Sequence, residues 1–253
     1  MGVLLLRLAG AMQSWGTQSR FSVRDTGLEP SKSGVIGLLC AALGKPRAEI
    51  AGDEFPTLAE LTALRMGVRV NREGAPKVDY HTAGGVHRQG VAYGVVKASG
   101  KAGDTVTSQR HYLADADFLV GLESVDEALL RRLDEALQHP RWQIFLGRKS
   151  FVPTIPVREP VGVRSETLSE LLQTYVSLHM PRFDEGAQLR IVVDADAATA
   201  TEARIDVPLS FAARRFTVRY VQTGFVSNPA PQKIAMPPGA EENKSRVLIE
   251  ADS

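Results

Sequence analysis

Along the first 150 residues the apolar pattern switches between period two and period 3.6 in a fixed order, and that order constrains the fold more than any motif. Residues 3–9, VLLLRLA, form a nearly continuous apolar run that fits a buried strand. Residues 33–43 are apolar on nearly every side (Val35, Ile36, Leu38, Leu39, Cys40, Leu43), as in a largely buried helix, and Gly44 with Lys45-Pro46 ends it. Gly34 and Gly37 share one side of that helix and allow close backbone approach to a neighbour. Residues 65–71, RMGVRVN, alternate, with Met66, Val68 and Val70 inward and Arg65, Arg69 and Asn71 outward. ADADFLVGLE then reads as a strand and SVDEALLRRLDEALQH as a helix, with a Ser124–Glu127 capping box, a Leu129, Leu130, Leu133, Leu137 stripe and Pro140 beyond its end. WQIFLG, residues 142–147, supplies the last strand. The order is βαββαβ, which predicts an α+β, ferredoxin-like domain over residues 1–150.

Two insertions interrupt this order. RFSVRDT, residues 20–26, alternates, with Phe21 and Val23 on one side and Arg20, Ser22 and Arg24 on the other. Such an arginine face suits phosphate contacts, and it equally suits a solvated strand with scattered charges. From Gly74 to Gln109 the chain is rich in glycine, poor in large hydrophobes and basic (Lys77, His81, His87, Arg88, Lys97, Lys101). So long a segment reads as a projecting hairpin or thumb, at about 77–109, or as a partly disordered loop. Residues 151–253 read as a smaller, mostly-β C-terminal region, with strands in LRIVVDAD and RRFTVRYVQTGFV and an extended tail after Asn228.

The chemistry offered is ionic rather than catalytic. Net charge is only +1. Yet Lys and Arg outnumber acids in residues 1–47, 65–111 and 140–164, while acids concentrate at 114–139 and 184–206. That segregation is compatible with one basic face and a polyanionic partner, and also with charges that alternate in space. The single cysteine, Cys40, excludes an intrachain disulfide, and no apolar run approaches membrane-spanning length, so a cytoplasmic location is expected.

Gly27-Leu-Glu-Pro-Ser-Lys-Ser lacks the second glycine of a nucleotide-binding loop, which excludes an NTPase. The helix that follows still presents free amides, so Ser31, Lys32 and Ser33 could hold an anion or simply cap it. A cation is mildly unfavourable at a helix N-terminus, and that favours an anion there. No histidine shows metal-ligand spacing. A metal-free ribonuclease could use His111 beside Arg110, or His87 beside Arg88. Leu146-Gly147-Arg148-Lys149-Ser150-Phe151 pairs a turn glycine with two cations fit to grip a backbone phosphate. Trp15 is either a core residue or a platform for a base.

The blocks LLLRLAGAMQSWGTQSRFSVRDTGLEPSKSGVIGLLCAALG, QRHYLADADFLVGL and FLGRKSFVPTIPV, in this order, resemble the CasD family of type I-E CRISPR Cascade subunits, a branch of the RAMP superfamily. The resemblance spans essentially the whole chain. It implies a ferredoxin-like fold with a thumb, and a non-catalytic role in holding the 5′ handle of the guide RNA at one end of the complex. The implied neighbours are the backbone subunit and the large subunit, with target DNA met indirectly. No cofactor, metal, membrane or small-molecule substrate is implied. Carried onto this sequence, the handle residues are Gln13, Ser14, Trp15, Arg20, Arg24, Ser31, Lys32, Ser33, Arg148 and Lys149. His87, Arg88 and Arg110 belong to the thumb region and its edge, where the match is one of position and character. Related proteins of another branch cleave precursor RNA without metal, which leaves endoribonuclease activity as the alternative.

Overall fold

The computed structural model describes residues 1–16, 22–50, 52–84, 95, 105–178 and 187–229. In chain order they form β1 (Gly2–Ala9), β2 (Met12–Gln13), β3 (Val23–Arg24), α1 (Lys32–Leu43), α2 (Leu58–Ala63), β4 (Arg65–Arg72), β5 (Ala75–Ala83) and β6 (Val106–Ala114). There follow β7 (Asp117–Ser124), α3 (Glu127–Gln138), β8 (Arg158–Arg164), α4 (Leu168–Thr174), β9 (Gln188–Asp194), β10 (Glu202–Ser210) and β11 (Arg215–Ser227). The architecture is mixed α+β and dominated by sheet.

One sheet of seven strands runs β10-β11-β9-β4-β7-β1-β8, and a second joins β2, β3 and β5 to β6. Every pair in the larger sheet is antiparallel. β1 is buried along its whole length, because helices cover both of its faces. On one face α1 and α3 enclose the main core of Leu4, Leu6, Leu8, Val68, Phe118 and Val120. On the other, α4 covers a smaller cluster of Val3, Leu5, Leu119, Leu168, Leu171 and Leu172.

This second cover corrects the reading of β4. Arg69 and Asn71, expected outward, are 0 % and 1 % exposed. The α4 carbonyls explain it: Arg69 Nη1 donates to Leu172 O at 3.0 Å, Nη2 to Tyr175 O at 2.8 Å, and Nε to Asn71 Oδ1 at 2.9 Å. The end of a helix, negative and short of donors, neutralises a buried guanidinium. Burial still pulls Arg69 down to about 10, with Asp117 opposing, so it remains charged at neutral pH. Arg7 and Asp117 form a buried pair beside it at 2.7 Å.

Three further expectations change. Residues 142–147 form no strand; Ile144 and Leu146 are buried in an irregular segment, and β8 takes the place beside β1. A short apolar run reads alike in a strand and a packed loop. The arginine strand shrinks to Val23–Arg24 among the described residues. The α3 cap is Asp126, which accepts from Leu129 N, while Ser124 Oγ accepts from Asp126 N at 3.0 Å. The expected division at residue 150 falls between α3 and β8, which pack against each other on the same sheet. Residues 77–109 begin and end in the β5–β6 hairpin, an exposed ladder from Ala75↔Ala114 to Ala83↔Val106.

Candidate nucleic-acid interface

β6 is the strand on which the site is built. It pairs antiparallel with β5 and β2, and parallel with β3, where Arg24 lies beside Arg110. Two arginines side by side on neighbouring strands repel unless an anion joins them. A third comes from the turn after Leu146. Leu146 N donates to Phe151 O at 2.7 Å and Phe151 N to Arg148 O at 2.9 Å, closing a tight loop. Gly147 sits there at φ 98°, and a Cβ would stand 1.8 Å from Ser14 O, so only glycine fits. The turn lays Arg148 against the Phe151 ring, 5.4 Å from its centroid, and its Nη2 donates to Arg24 O at 3.2 Å.

The result is an open depression of about 340 Å³ lined by Ser14, Gly16, Arg24, Asp25, Arg110, Gly147 and Arg148. Arg24, Arg110 and Arg148 form no ion pair with a carboxylate among the described residues. Burial, together with the charges of Arg110 and Arg24, holds the Arg148 guanidinium below its ordinary pKa, with Asp79 and Asp25 opposing. A phosphate would relieve that repulsion and accept several donors at once. Ser14 Oγ reaches His111 O at 3.3 Å and Asp25 O at 3.4 Å, tying the three segments together. Asp25 had no signal in the sequence, since only the parallel register of β3 brings it here.

Of the residues expected at the site, Ser14, Arg24, Arg110 and Arg148 therefore converge. Gln13 and Trp15 do not reach the surface, which corrects their reading as RNA contacts. Gln13 is 0 % exposed; its Nε2 donates to Leu8 O at 2.9 Å and Ala116 O at 2.8 Å, and its Oε1 accepts from Trp15 Nε1 at 3.1 Å. Trp15, 2 % exposed, lies against Gly34 of α1, where a Cβ would come within 2.8 Å of the ring. It supports the depression from behind. Arg20, His87 and Arg88 lie outside the described residues.

The start of α1 holds an anion, but the protein's own. Lys32 N donates to Asp206 Oδ2 at 2.9 Å, and Lys32 Nζ to Asp194 Oδ2 at 2.8 Å. Arg219 binds both carboxylates, through Nε to Asp206 Oδ1 and Nη1 to Asp194 Oδ1, each at 2.6 Å. Ser31 is the N-cap, accepting from Gly34 N at 3.3 Å. With Lys32 only 5 % exposed, Ser31 and Lys32 are corrected from phosphate contacts to a structural anchor. Ser33 and Lys149 line a different cleft.

The fold and the site together define a mixed α+β chain with three arginines clustered at the base of its β5–β6 hairpin. The sequence matches the model of the family described as CRISPR-associated protein (Cas_Cas5) over residues 3–222, and the chain belongs to that family. It is 33% identical over 160 residues to the CRISPR system Cascade subunit CasD of Escherichia coli (strain K12), covering 61% of this chain and 68% of that one. A structure described as a CRISPR RNA-guided surveillance complex contains a chain with TM-score 0.73 and 33% identity, covering 99% of this chain and 100% of that one. A crystal structure of a Cas protein matches with TM-score 0.68 and 38% identity, over 90% of this chain and 99% of that one.

Proposed function

We propose that this chain is a non-catalytic, RNA-binding subunit of a CRISPR surveillance complex that holds the 5′ handle of the guide RNA. Contacts with the backbone and large subunits, and through them with target DNA, are part of the same reading. The observation that carries it is the convergence of Arg24, Arg110 and Arg148, without carboxylate partners among the described residues, around the Gly147 turn. The strand order β4-β7-β1-β8, with α1 between β1 and β4 and α3 between β7 and β8, supports a ferredoxin-like assignment of that unit.

Titration of a labelled handle-bearing RNA against the full chain tests the reading. Changing Arg24 and Arg110 to Ala is expected to weaken binding and to lower the slope of log K on log salt by about 1 per arginine removed. Unchanged affinity and slope would overturn it. Competition with scrambled RNA separates handle recognition from general single-strand binding. The cleavage alternative gains nothing from His111, which follows Arg110 on a regular strand and so faces the opposite side of the ladder. Precursor RNA incubated with the protein in EDTA is expected to stay intact.

A further inference from the structure

A second cleft, of about 740 Å³, opens on the other side of the Gly147 turn. Its size falls in the range of about 300–1,000 Å³ usual for ligand sites. The half-buried flank of α1 forms its floor, and Gly37 there has only Phe211 Cζ, at 3.8 Å, near a would-be Cβ. The walls are aromatic: Trp142 is 47 % exposed and Phe216 40 %. Backbone bonds from Arg141 N to Ala42 O at 2.9 Å and from Trp142 N to Ala41 O at 3.1 Å fasten the tryptophan segment to the end of α1. Arg47, Lys149 and Arg214 stand exposed on the rim, without carboxylate partners among the described residues, and no acidic side chain lines the cleft. Gly147 belongs to both cavities; Arg148 turns into one and Lys149 into the other.

We propose that this cleft is a second binding site for single-stranded RNA, continuous with the arginine depression. The strand crosses the Gly147 turn, stacks a base against Trp142 and Phe216, and lays its phosphates on Arg47, Lys149 and Arg214. The proposal rests on the RNA-binding reading above. An acidic peptide would use the cations and leave the ring faces idle, and an apolar peptide would leave the cations idle. Exposed rings beside unpaired cations, with no acid among them, are what a stacked single strand engages.

Tryptophan fluorescence reports on the cleft directly, because the other tryptophan, Trp15, is 2 % exposed. The full chain is titrated with two single-stranded RNAs, one long enough to span both cavities and one short enough to fill only the arginine depression. The long RNA is expected to quench Trp142 saturably. Trp142→Ala should weaken its binding by about 5- to 150-fold, the equivalent of about 1–3 kcal/mol of stacking. Arg47→Ala with Arg214→Ala should lower the salt slope by about 2. Binding of the short RNA should respond to Arg24→Ala and Arg110→Ala and not to the cleft variants. An unquenched Trp142, with long-RNA affinity and slope unchanged by the cleft variants but weakened by the depression variants, overturns the cleft and leaves the RNA-binding reading standing. Loss of binding in the cleft variants alone would instead fault the arginine depression. Quenching by polyglutamate and not by RNA would make the cleft an acidic-peptide site and overturn the proposal.

Discussion

Asp206→Ala tests the anchor at the start of α1. The substitution removes the acceptor of Arg219 Nε and Nη2, at 2.6 and 2.9 Å, and of Lys32 N at 2.9 Å. Asp206 is 2 % exposed and Arg219 7 %, so the guanidinium left behind stays largely dry. Removing one member of a buried pair costs about 3–5 kcal/mol. Arg219 keeps Asp194, which places the expected loss at the lower end, about 3 kcal/mol. With an m-value of about 3 kcal/mol/M in urea, near the top of the usual range for a chain this long, the unfolding midpoint should fall by about 1 M. Adding Arg219→Met removes the stranded charge and should recover part of the loss. Lys32→Met offers the companion measurement: the salt slope of RNA binding by the folded protein should stay unchanged, since Lys32 is held by Asp194 and Asp206. A midpoint moved by less than a third of the expected shift would refute the anchor, and a salt slope lowered by Lys32→Met would restore the external anion.

Gly34→Ala and Gly37→Ala should move stability in opposite directions. Either exchange gains up to about 1 kcal/mol of helix propensity. At Gly34 the methyl meets the buried Trp15 ring at 2.8 Å, and overpacking of about 1–3 kcal/mol wins; at Gly37 nothing lies closer than 3.8 Å. Thermal unfolding distinguishes them. Gly147→Ala, strained by its φ of 98° and colliding with Ser14 O, should lower both melting temperature and RNA affinity by displacing Arg148. Burial pushes the Cys40 thiol up to about 11 from 9.0, against the attraction of Lys45. Its folded pKa lies above the unfolded one, so its contribution to stability is complete below about pH 9 and is lost as pH rises through about 11. Thiol labelling at pH 8 should therefore be far slower than that of a free cysteine.

Most long elements are legible because their apolar patterns run on: β1, α1, β4, β7, α3, β9 and β11 each show one, whereas β10, though 9 residues long, carries Pro208 and two register shifts and goes unread. α2 and α4, of 6 and 7 residues, are too short for that, although Thr57–Glu60 and Thr167–Glu170 form the two capping boxes of the chain's described helices. At the site, sequence supplied the cations and not their fates. Lys32 and Arg24 look alike as letters; one meets Asp194 and Asp206 across more than 160 positions, and the other pairs with no acid among the described residues. Which cations remain without an acidic partner is decided by sheet register and by which faces α4 and β10 cover, and neither is written in local pattern. Trp15 carried the same ambiguity, which packing against Gly34 resolves.

These long-range ties have a consequence for residues 1–150 taken alone. That fragment keeps β1, α1, β4, β7, α3 and the hairpin, but ends before Phe151, whose backbone bonds and ring hold the turn that carries Arg148. It loses β8 beside β1 and β9 beside β4, exposing both edges of the three-stranded remainder β4-β7-β1. It also loses α4, so Val3, Leu5 and Leu119, each 0 % exposed in the whole chain, become a bare apolar face, and Arg69 loses its two carbonyl partners. At the start of α1, Lys32 loses Asp194 and Asp206 together. Arg69 and Lys32 then meet water in place of their partners, so the heavier losses are the bare apolar face and the two open sheet edges, against a total stability of about 5–15 kcal/mol. Residues 1–150 should therefore be insoluble or bind a hydrophobic dye strongly when expressed alone, and residues 1–229 should unfold in one cooperative transition. A soluble 1–150 fragment with native-like amide protection in β1 and β7 would refute the claim that the C-terminal strands hold residues 1–150 together.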